Sequence, residues 1–318
     1  MEFDTWVDVS KLPAALKTRR GWSQLLDFKR SAEPQLHQIE PTNHCPYECI
    51  MCPRSQMVRK TGFMDMAIYT KVIDEVATYT TSARDKEIEL FHFGESLIHP
   101  ELPEMVGYGS QRGLKMVLSV NGPQFKPKLA EQIFRNHPYH VILSLDGYDD
   151  QSYKDVRGKN ADFASAASNI EAASKMLREM DTDSRFTVRM INLKQNEAHA
   201  QEFKARWEKL GVNVDIREFF PWGEENMQDL GSYKRFPPGM PCPFPWQYVV
   251  VQWNGDVVPC CRDYDGVLKI GNVADGTLKE IWNGARYEWF REQHRSGNLE
   301  HPFCRNCYKL YSTPEEIE

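Results

Sequence analysis

Residues 41–54 read PTNHCPYECIMCPR, and this segment places Cys45, Cys49 and Cys52 in a C-x3-C-x2-C pattern. A short segment that alternates like a β-strand precedes it, so three thiolates on one loop can converge on one point. A structural zinc site would need a fourth ligand nearby, and no fourth cysteine occurs before Cys242. Three thiolates would hold a cubane iron-sulfur cluster and leave its fourth iron open to a small molecule. A zinc knuckle and unrelated thiols are the alternative interpretations.

The composition is that of an ordinary soluble enzyme. The 318 residues include 39 Lys and Arg against 45 Asp and Glu, and no basic run that would bind a nucleic acid occurs. The first residues, MEFDTW, lack the basic and apolar regions of a signal peptide, and no apolar run is long enough for a membrane span. We therefore expect a cytoplasmic protein without a membrane or nucleic-acid partner. In a reducing compartment, the eight cysteines are better explained by metal binding than by disulfides.

Strand and helix patterns alternate from residue 35 to about residue 220. The predicted strands are residues 36–40, 88–93, 115–120, 140–145, 186–192 and 212–219. The predicted helices include residues 67–79, 102–109, 161–180 and 198–210. Six βα units of this kind give a parallel sheet with right-handed crossovers, so its ligands should lie at the carboxyl ends of the strands. Residues 1–34 are predicted to form a helical extension packed on this core.

The three-cysteine loop resembles the motif of the radical S-adenosylmethionine (SAM) superfamily, in which the motif follows the first barrel strand. The resemblance implies an α/β fold with a six-unit (β/α)6 partial barrel, here over residues 35–222. It also implies SAM and a 4Fe-4S cluster as cofactors, and an electron donor such as flavodoxin or ferredoxin. In such enzymes one electron cleaves SAM to methionine and a 5'-deoxyadenosyl radical, which removes hydrogen from a C–H bond.

The segment after the second predicted strand, Phe93-Gly94-Glu95-Ser96, resembles the family's Gly-Gly-Glu-Pro motif. The resemblance implies that Glu95 binds the ammonium group of SAM and that Gly94 lets the backbone approach the methionine moiety. Phe93 and Ser96 depart from the motif, but the carboxylate is kept. Taken alone, Glu95 fits a solvated loop acid as well as it fits SAM binding, and His92, Glu95 and His99 could be mistaken for metal ligands.

Later strand ends carry further candidates for SAM binding. Ser119 and Asn121 stand in a segment that resembles the family's Thr-Asn-Gly motif. Ser144 and Arg157 resemble a stretch in which the serine reaches the SAM ribose and the arginine pairs with the SAM carboxylate, a task suited to a planar guanidinium. Asn192 is a candidate for the adenine by position alone. Each candidate has a structural alternative. Asn121 could simply form a turn with the following glycine, the Ser144 hydroxyl could bond to backbone, and Arg157 could be a surface charge.

A second group of cysteines follows a linker rich in proline and glycine at residues 221–239. The candidate ligands are Cys242, Cys260, Cys304 and Cys307. A hairpin that turns at Asn254-Gly255 would place the first two at its feet, and a helix near residues 278–293 leads to the last two. Four thiolates can close around one metal, and the spacing alone fits structural zinc as well as an iron-sulfur cluster.

This C-terminal part, residues 223–318, resembles the SPASM/Twitch auxiliary domains of radical SAM enzymes. A domain with two clusters uses about seven cysteines. Only five are present, so the resemblance implies the shortened form with one 4Fe-4S cluster and thus two clusters in the chain. The cysteine spacing is similar to that of an alcohol-oxidising member of the family. Cys261 is then a spare thiol that is buried, a rearranged ligand or without a role.

The resemblance and the cysteine count together favour oxidation of a secondary alcohol on a sugar or aminocyclitol. A cluster with four cysteine ligands has no iron free for substrate, so we expect it to accept the second electron. Arg189 and Arg217, at or near the fifth and sixth predicted strands, are the candidates for orienting the hydroxyl. The main alternative is crosslink or thioether formation in a ribosomally made peptide. A non-enzymatic alternative is a zinc-stabilised binding module.

Overall fold

The computed structural model describes residues 13–219, 230, 241–305 and 307, without the side chains of residues 14 and 17. Residues 1–12, most of the predicted linker and the division predicted between residues 222 and 223 lie outside these ranges. In the described part of the chain, no helix has the length and apolar character needed to cross a membrane.

The described strands form one sheet that contains the predicted βα units. The strands are β1 (Gln35–Ile39), β2 (Glu87–Glu89), β3 (Lys115–Asn121), β4 (His140–Ser144), β5 (Arg185–Asn192), β6 (Asn213–Glu218), β7 (Tyr248–Val251), β8 (Asp256–Val258) and β9 (Gly271–Asn272). Their order in the sheet is β6-β5-β4-β3-β2-β1-β7-β8-β9. Strands β1 to β6 are parallel neighbours, which confirms the predicted parallel α/β architecture.

The helices connect these strands. They are α1 (Arg19–Lys29), α2 (Met66–Ala77), α3 (Leu102–Gln111), α4 (Pro127–Phe134), α5 (Asp150–Arg157), α6 (Phe163–Glu179), α7 (Ala200–Glu208), α8 (Phe244–Gln247), α9 (Leu278–Asn283), α10 (Ala285–Ser296) and α11 (Pro302–Arg305). The four helices predicted in the barrel agree with α2, α3, α6 and α7 to within two residues at each end. Asp65 and Asp162 accept N-cap hydrogen bonds at the starts of α2 and α6, which explains why those ends are sharply defined.

The two faces of the sheet differ in polarity. On β3, Met116, Leu118 and Val120 belong to the large hydrophobic core shared with the helices. The alternate residues of each strand point to the opposite face, which faces the interior of the partial barrel. We use the name inner wall for six of the polar residues on that face: Gln38, Glu89, Ser119, Ser144, Arg189 and Asp215. A substrate held inside the barrel would therefore meet hydrogen-bonding groups.

The C-terminal hairpin belongs to the same sheet as the barrel. Strand β7 lies parallel to β1, with Gln35 opposite Tyr248 and Ile39 opposite Val251. Strands β7, β8 and β9 are antiparallel neighbours. Gly255 has a φ of +83°, as expected for a glycine in the predicted turn. The hairpin is therefore continuous with the first barrel strand.

Two predicted elements differ from the structure. Strand β2 ends at Glu89 rather than at residue 93, because the following segment turns toward the three-cysteine loop, where Glu95 N donates to His44 O (2.8 Å). The helix predicted over residues 278–293 is two helices, α9 and α10. Gly284 separates them with an extended backbone, ψ 160°.

Helix α1 is the described part of the predicted N-terminal helical extension. Trp22 is only 2% exposed, and its Nε1 donates to Pro241 O (2.8 Å). Asp27 accepts a hydrogen bond from Trp246 Nε1 (2.7 Å). The helix is thus anchored to the C-terminal part of the chain.

Candidate functional site

The three-cysteine loop leaves the carboxyl end of β1 and is held by surrounding backbone. Ile50 N donates to Val156 O (3.0 Å), which ties the loop to α5. Arg54 donates to Cys45 O (2.6 Å) from within the loop. The loop is therefore positioned by its neighbours at the sheet edge where ligands of parallel sheets bind.

The three thiols of this loop lie in one electrostatic environment. Cys49 interacts with both Cys45 and Cys52. Burial raises the pKa of Cys45 to about 12 and that of Cys52 to about 11. Buried thiols ionise when a cation compensates the charge, as the irons of a cluster do, so this donor set fits a 4Fe-4S cluster. No three His, Cys, Asp or Glu of the described residues converge on a position for a single metal ion.

Glu95 lies beside the loop and is 1% exposed, so it is not a solvated acid. Its carboxylate accepts hydrogen bonds from Leu97 N (3.0 Å), Asn121 N (2.9 Å) and Asn121 Nδ2 (2.5 Å). Burial raises the pKa of Glu95, while these hydrogen bonds and Arg157 oppose the rise. Glu95 also interacts electrostatically with Cys45. The structure thus brings this carboxylate to the cysteine loop, and its binding of the SAM ammonium stays a prediction.

Gly94 is required by close packing of two loops. A side chain at Gly94 would overlap the carbonyl of Thr42, which belongs to the segment leading into the cysteine loop. The glycine therefore lets the loop after β2 lie directly against the loop after β1. Its approach to the methionine moiety stays a prediction.

Arg157 is buried rather than a surface charge, and it already has a carboxylate partner. Its Nε donates to Asp146 Oδ2 (2.5 Å), and its Nη1 donates to Asn121 Oδ1 (2.6 Å). Asp146 is completely buried, and no role was predicted for it because its partner is 11 residues away in the chain. Arg157 also interacts with Cys49. A SAM carboxylate would share the guanidinium with Asp146, and this binding stays a prediction.

Of the remaining SAM candidates, Ser119, Asn121 and Ser144 lie together, whereas Asn192 lies apart from them. Ser119 Oγ and Ser144 Oγ lie 3.4 Å apart, and Asn121 is opposite Ser144 in the register of β3 and β4. Asn192, at the end of β5, donates to Glu218 Oε1 (3.4 Å) on the neighbouring strand β6. The structure brings the first three together near the end of the inner wall. The adenine role of Asn192 stays a prediction.

Arg189 and Arg217 lie on β5 and β6, as predicted, and share one carboxylate. Each donates from Nε to Asp215 Oδ2 at 2.8 Å. Burial would raise the pKa of Asp215, but the two guanidinium groups outweigh burial and lower it. The Arg189 side chain is 13% exposed and that of Arg217 is 46% exposed. These arginines can donate to a substrate oxygen but cannot take its proton, because a guanidinium stays protonated.

The four predicted C-terminal ligands also share one environment. Cys304 interacts electrostatically with Cys242 and Cys307, and Cys260 interacts with Cys242. Burial raises the pKa of Cys304. Arg262 Nη1 donates to Cys307 Sγ (3.4 Å). All eight cysteines of the chain are free thiols, and this second group of donors fits one further cluster.

The Cys261 thiol interacts with its neighbour Cys260 and also faces residues of β1 and β7. Tyr248 OH donates to Cys261 Sγ (3.4 Å), and His37 interacts with the same thiol. Cys260 instead packs on the large hydrophobic core. The spare thiol therefore borders the barrel interior.

A buried carboxylate joins the end of β1 to the C-terminal hairpin. Glu40, at the end of β1, accepts hydrogen bonds from Arg59 Nη1 (2.7 Å), Arg59 Nη2 (2.6 Å) and Trp253 N (3.2 Å). His92 Nδ1 lies 3.4 Å from the same carboxylate, and His92 Nε2 lies 2.8 Å from Cys261 O. No motif predicted this cluster, because Trp253 is 213 residues from Glu40 in the chain.

Two family models match the chain. The radical SAM superfamily model matches residues 39–205, which is more than half of the sequence. The chain belongs to the radical SAM superfamily. A SPASM iron-sulfur cluster-binding domain matches residues 242–308. SAM and a 4Fe-4S cluster are therefore its cofactors, and the SPASM part binds additional iron-sulfur.

Curated relatives of this radical SAM protein carry out different reactions. The tungsten-containing aldehyde ferredoxin oxidoreductase cofactor-modifying protein of Pyrococcus furiosus is 23% identical, over 85% of this chain and 86% of the relative. The PqqA peptide cyclase of Streptomyces rochei is 24% identical, over 85% and 80%. The SAM-dependent 2-deoxy-scyllo-inosamine dehydrogenase of Niallia circulans is 21% identical, over 88% and 94%. The three names differ in both substrate and reaction.

Solved structures agree with the fold. A crystal structure of BtrN in complex with AdoMet and 2-DOIA has a TM-score of 0.55 and 16% identity, covering 90% of this chain and 95% of that one. Streptococcus suis SuiB bound to precursor peptide SuiA has a TM-score of 0.67 and 12% identity, covering 91% and 72%. Both likenesses support the partial barrel predicted for this radical SAM protein.

Proposed function

We propose that this radical SAM enzyme oxidises a secondary alcohol of a sugar or aminocyclitol to a ketone. The observation that carries the proposal is the inner wall, where Glu89, Arg189 and Asp215 accompany serine hydroxyls inside the barrel. A polyhydroxylated ring needs hydrogen-bond partners on several sides, and a wall of this composition supplies them. The relative named for dehydrogenation of 2-deoxy-scyllo-inosamine, matched over 94% of its length, supports the same substrate class.

The residues around the three-cysteine loop would hold the SAM cluster and SAM itself. Cys45, Cys49 and Cys52 supply three thiolates and leave one coordination position for SAM. When bound, SAM and its cluster supply a carbon radical that removes hydrogen from the substrate. Glu95 would accept hydrogen bonds from the SAM ammonium, and Arg157, steadied by Asp146, would donate to its carboxylate.

The second electron of the oxidation needs an acceptor within the protein. We propose an auxiliary cluster as this acceptor, with Cys242, Cys260, Cys304 and Cys307 as its four ligands. With four protein ligands, an auxiliary cluster has no iron free for substrate, so its role would be electron transfer. Flavodoxin or ferredoxin would supply the first electron to the SAM cluster.

Modification of a ribosomal peptide is the second candidate function. The peptide cyclase relative and the peptide-bound SuiB structure favour it. The charged inner wall favours the small polar substrate, because a peptide of unspecified sequence has no general need for it.

A mass-spectrometric screen tests the proposal. Anaerobically reconstituted enzyme is given SAM, a reductant, and sugars, aminocyclitols or short peptides. We expect SAM-dependent loss of two hydrogens from an alcohol. With two clusters, the wild type should contain about eight irons per chain. The variant in which Cys45, Cys49 and Cys52 are all replaced by Ala should keep about half of this iron and should no longer cleave SAM. Crosslinked peptide without oxidised alcohol would contradict the proposed function.

A further inference from the structure

Alcohol oxidation releases a proton as well as an electron. After hydrogen leaves the carbinol carbon, the O–H must lose its proton before the carbonyl can form. Arg189 and Arg217 cannot take this proton, because each already carries one that it does not release near neutral pH. The acceptor must therefore be another group that reaches the inner wall.

Most carboxylates near the inner wall are paired with arginines. Asp215 binds Arg189 and Arg217, Asp146 binds Arg157, and Glu40 binds Arg59. Hydrogen bonds and cations of this kind stabilise the ionised carboxylate. Such a group is a weak proton acceptor, because a general base must be able to keep the proton that it receives.

Glu89 is the exception on the inner wall. Among the described residues it has no Arg or Lys nitrogen within 4.0 Å, and His37 Nε2 lies 3.9 Å from its Oε2. Gln38 Nε2 donates to the same Oε2 at 2.7 Å, which holds the carboxylate in place. No described residue donates a hydrogen bond to Oε1, and the side chain is 19% exposed. One carboxylate oxygen of this inner-wall residue therefore has lone pairs that no described residue occupies.

Arg189 complements Glu89 from the other side of the inner wall. The two side chains interact electrostatically, although they stand on β5 and β2. A substrate hydroxyl that contacts both would accept a hydrogen bond from Arg189 and donate one to Glu89. Donation to a carboxylate orients the O–H along the line on which its proton would move.

We propose that Glu89 is the proton acceptor of the oxidation, an assignment that rests on the alcohol oxidation proposed above. The carbinol carbon gives up a hydrogen atom to the SAM-derived radical. The O–H then transfers its proton to Glu89 Oε1, the remaining electron passes to the auxiliary cluster, and the C–O bond becomes C=O. Gln38 acts as a positioning residue, because it binds the other carboxylate oxygen.

The test compares Glu89→Gln with Glu87→Gln in the enzyme carrying both clusters. Glu87 lies two residues earlier on β2, but it is 40% exposed and pairs with Arg185 (2.8 Å), so the same substitution there serves as a matched control. The probes are 2-deoxy-scyllo-inosamine, scyllo-inositol and glucosamine, each deuterated at its carbinol carbons. Mass spectrometry then gives two quantities, the deuterium in 5'-deoxyadenosine and the amount of ketone.

Wild type and Glu87→Gln should form ketone in proportion to deuterated 5'-deoxyadenosine. Glu89→Gln should keep deuterium transfer within a few-fold, whereas the ketone formed per deuterium transferred should fall about 100-fold, as is typical for loss of a general base. Glu89→Asp, which keeps a carboxylate, should recover part of that ratio. Iron content and circular dichroism establish that each variant is folded and loaded.

Three outcomes would overturn the assignment in distinguishable ways. Glu89→Gln with a wild-type ratio of ketone to deuterium transfer would show that another group takes the proton. A folded, loaded Glu89→Gln variant that loses deuterium transfer as well as ketone would show that Glu89 binds substrate without a role in proton transfer. Absence of deuterium transfer from every probe in the wild type would reject the alcohol oxidation itself for this substrate class, before Glu89 is considered.

Discussion

Glu95 illustrates how one residue can hold together a site that is built from several strand ends. Its carboxylate binds the backbone and the side chain of Asn121, and the same Asn121 side chain accepts from Arg157. Arg157 in turn binds Asp146. A change at one of these buried groups leaves the next without its partner, which costs more than the hydrogen bond itself contributes.

We predict that Glu95→Gln weakens SAM binding at least about 10-fold, because a charged hydrogen bond contributes about 1.5–3 kcal/mol and an amide would also set its NH2 against the N–H groups of Asn121. Equilibrium binding of SAM to the reconstituted enzyme measures the effect. Glu101→Gln, at an exposed position 6 residues later, is the control. An unchanged dissociation constant for Glu95→Gln would rule out the ammonium-binding role.

Glu40 predicts a specific dependence of stability on pH. Burial would raise its pKa, but Arg59 and His92 outweigh burial and lower the pKa to about 2. A lowered pKa contributes stability that is present above the unfolded pKa of about 4.3 and lost as pH falls toward the folded pKa. From pH 5 to pH 3, the free energy of unfolding of wild type should therefore fall about 2 kcal/mol more than that of Glu40→Gln.

Urea unfolding of the cluster-free protein at pH 5, 4 and 3 measures this difference. Glu131→Gln is a suitable control, because Glu131 pairs with Arg135 on the exposed surface of α4. If the free energy of unfolding fell equally with pH in wild type and in Glu40→Gln, the ion pair between Glu40 and Arg59 would be contradicted.

Helix α9 shows how elements of the barrel and of the SPASM part hold each other. Its own sequence supplies a capping box from Thr277 and Glu280. Glu75, from barrel helix α2, adds two further caps by accepting from Leu278 N and Lys279 N, both at 2.8 Å. The backbone N–H groups in the first turn of α9 therefore find acceptors both within the SPASM part and in the barrel.

We predict that Glu75→Gln lowers the free energy of unfolding by about 0.5–2 kcal/mol, because a neutral amide caps the helix less well than a carboxylate near the positive end of the helix dipole. Thermal unfolding followed by circular dichroism provides the measurement. Glu171→Gln, at an exposed position on α6, is the control. Equal melting temperatures for Glu75→Gln and wild type would show that the capping box alone is sufficient.

The elements predicted well from sequence are those whose signals are local. Helix α2 begins at its Asp65 cap, and the alternation in β3 correctly assigns Ser119 and Asn121 to one face. The pairing of β7 with β1 and the cluster around Glu40 were not predicted, because neither has a local periodicity. Motif resemblance supplied the candidate cysteine ligands and the candidate Glu95, but it did not supply Glu89, which lies in no motif.

At the scale of the molecule, the two cysteine groups should be separable by point mutation. We predict that replacing Cys304 and Cys307 by Ala leaves SAM cleavage by the first cluster, because its proposed ligands lie on another loop. Product formation should fall much further than uncoupled SAM cleavage, since the acceptor for the second electron would be missing. Iron content, SAM cleavage and product are measured on the same preparation.

Circular dichroism must first show that this double variant is folded. A folded variant with one cluster and undiminished substrate oxidation would contradict the electron-transfer role of the SPASM part. Loss of SAM binding in a folded variant would indicate that the network around Glu40 transmits changes between the two cysteine groups.

The parallel pairing of β1 with β7 has a consequence for synthesis of the chain on the ribosome. Gln35 meets its partner Tyr248 only after roughly 210 further residues have been made, which at 5–20 residues per second takes about 10–40 seconds. During that time one edge of the first strand has no partner, and unpaired edges are sites of aggregation. The nascent protein therefore depends on its last quarter to close the sheet, so pauses or truncations before β7 should direct it to chaperones and proteases.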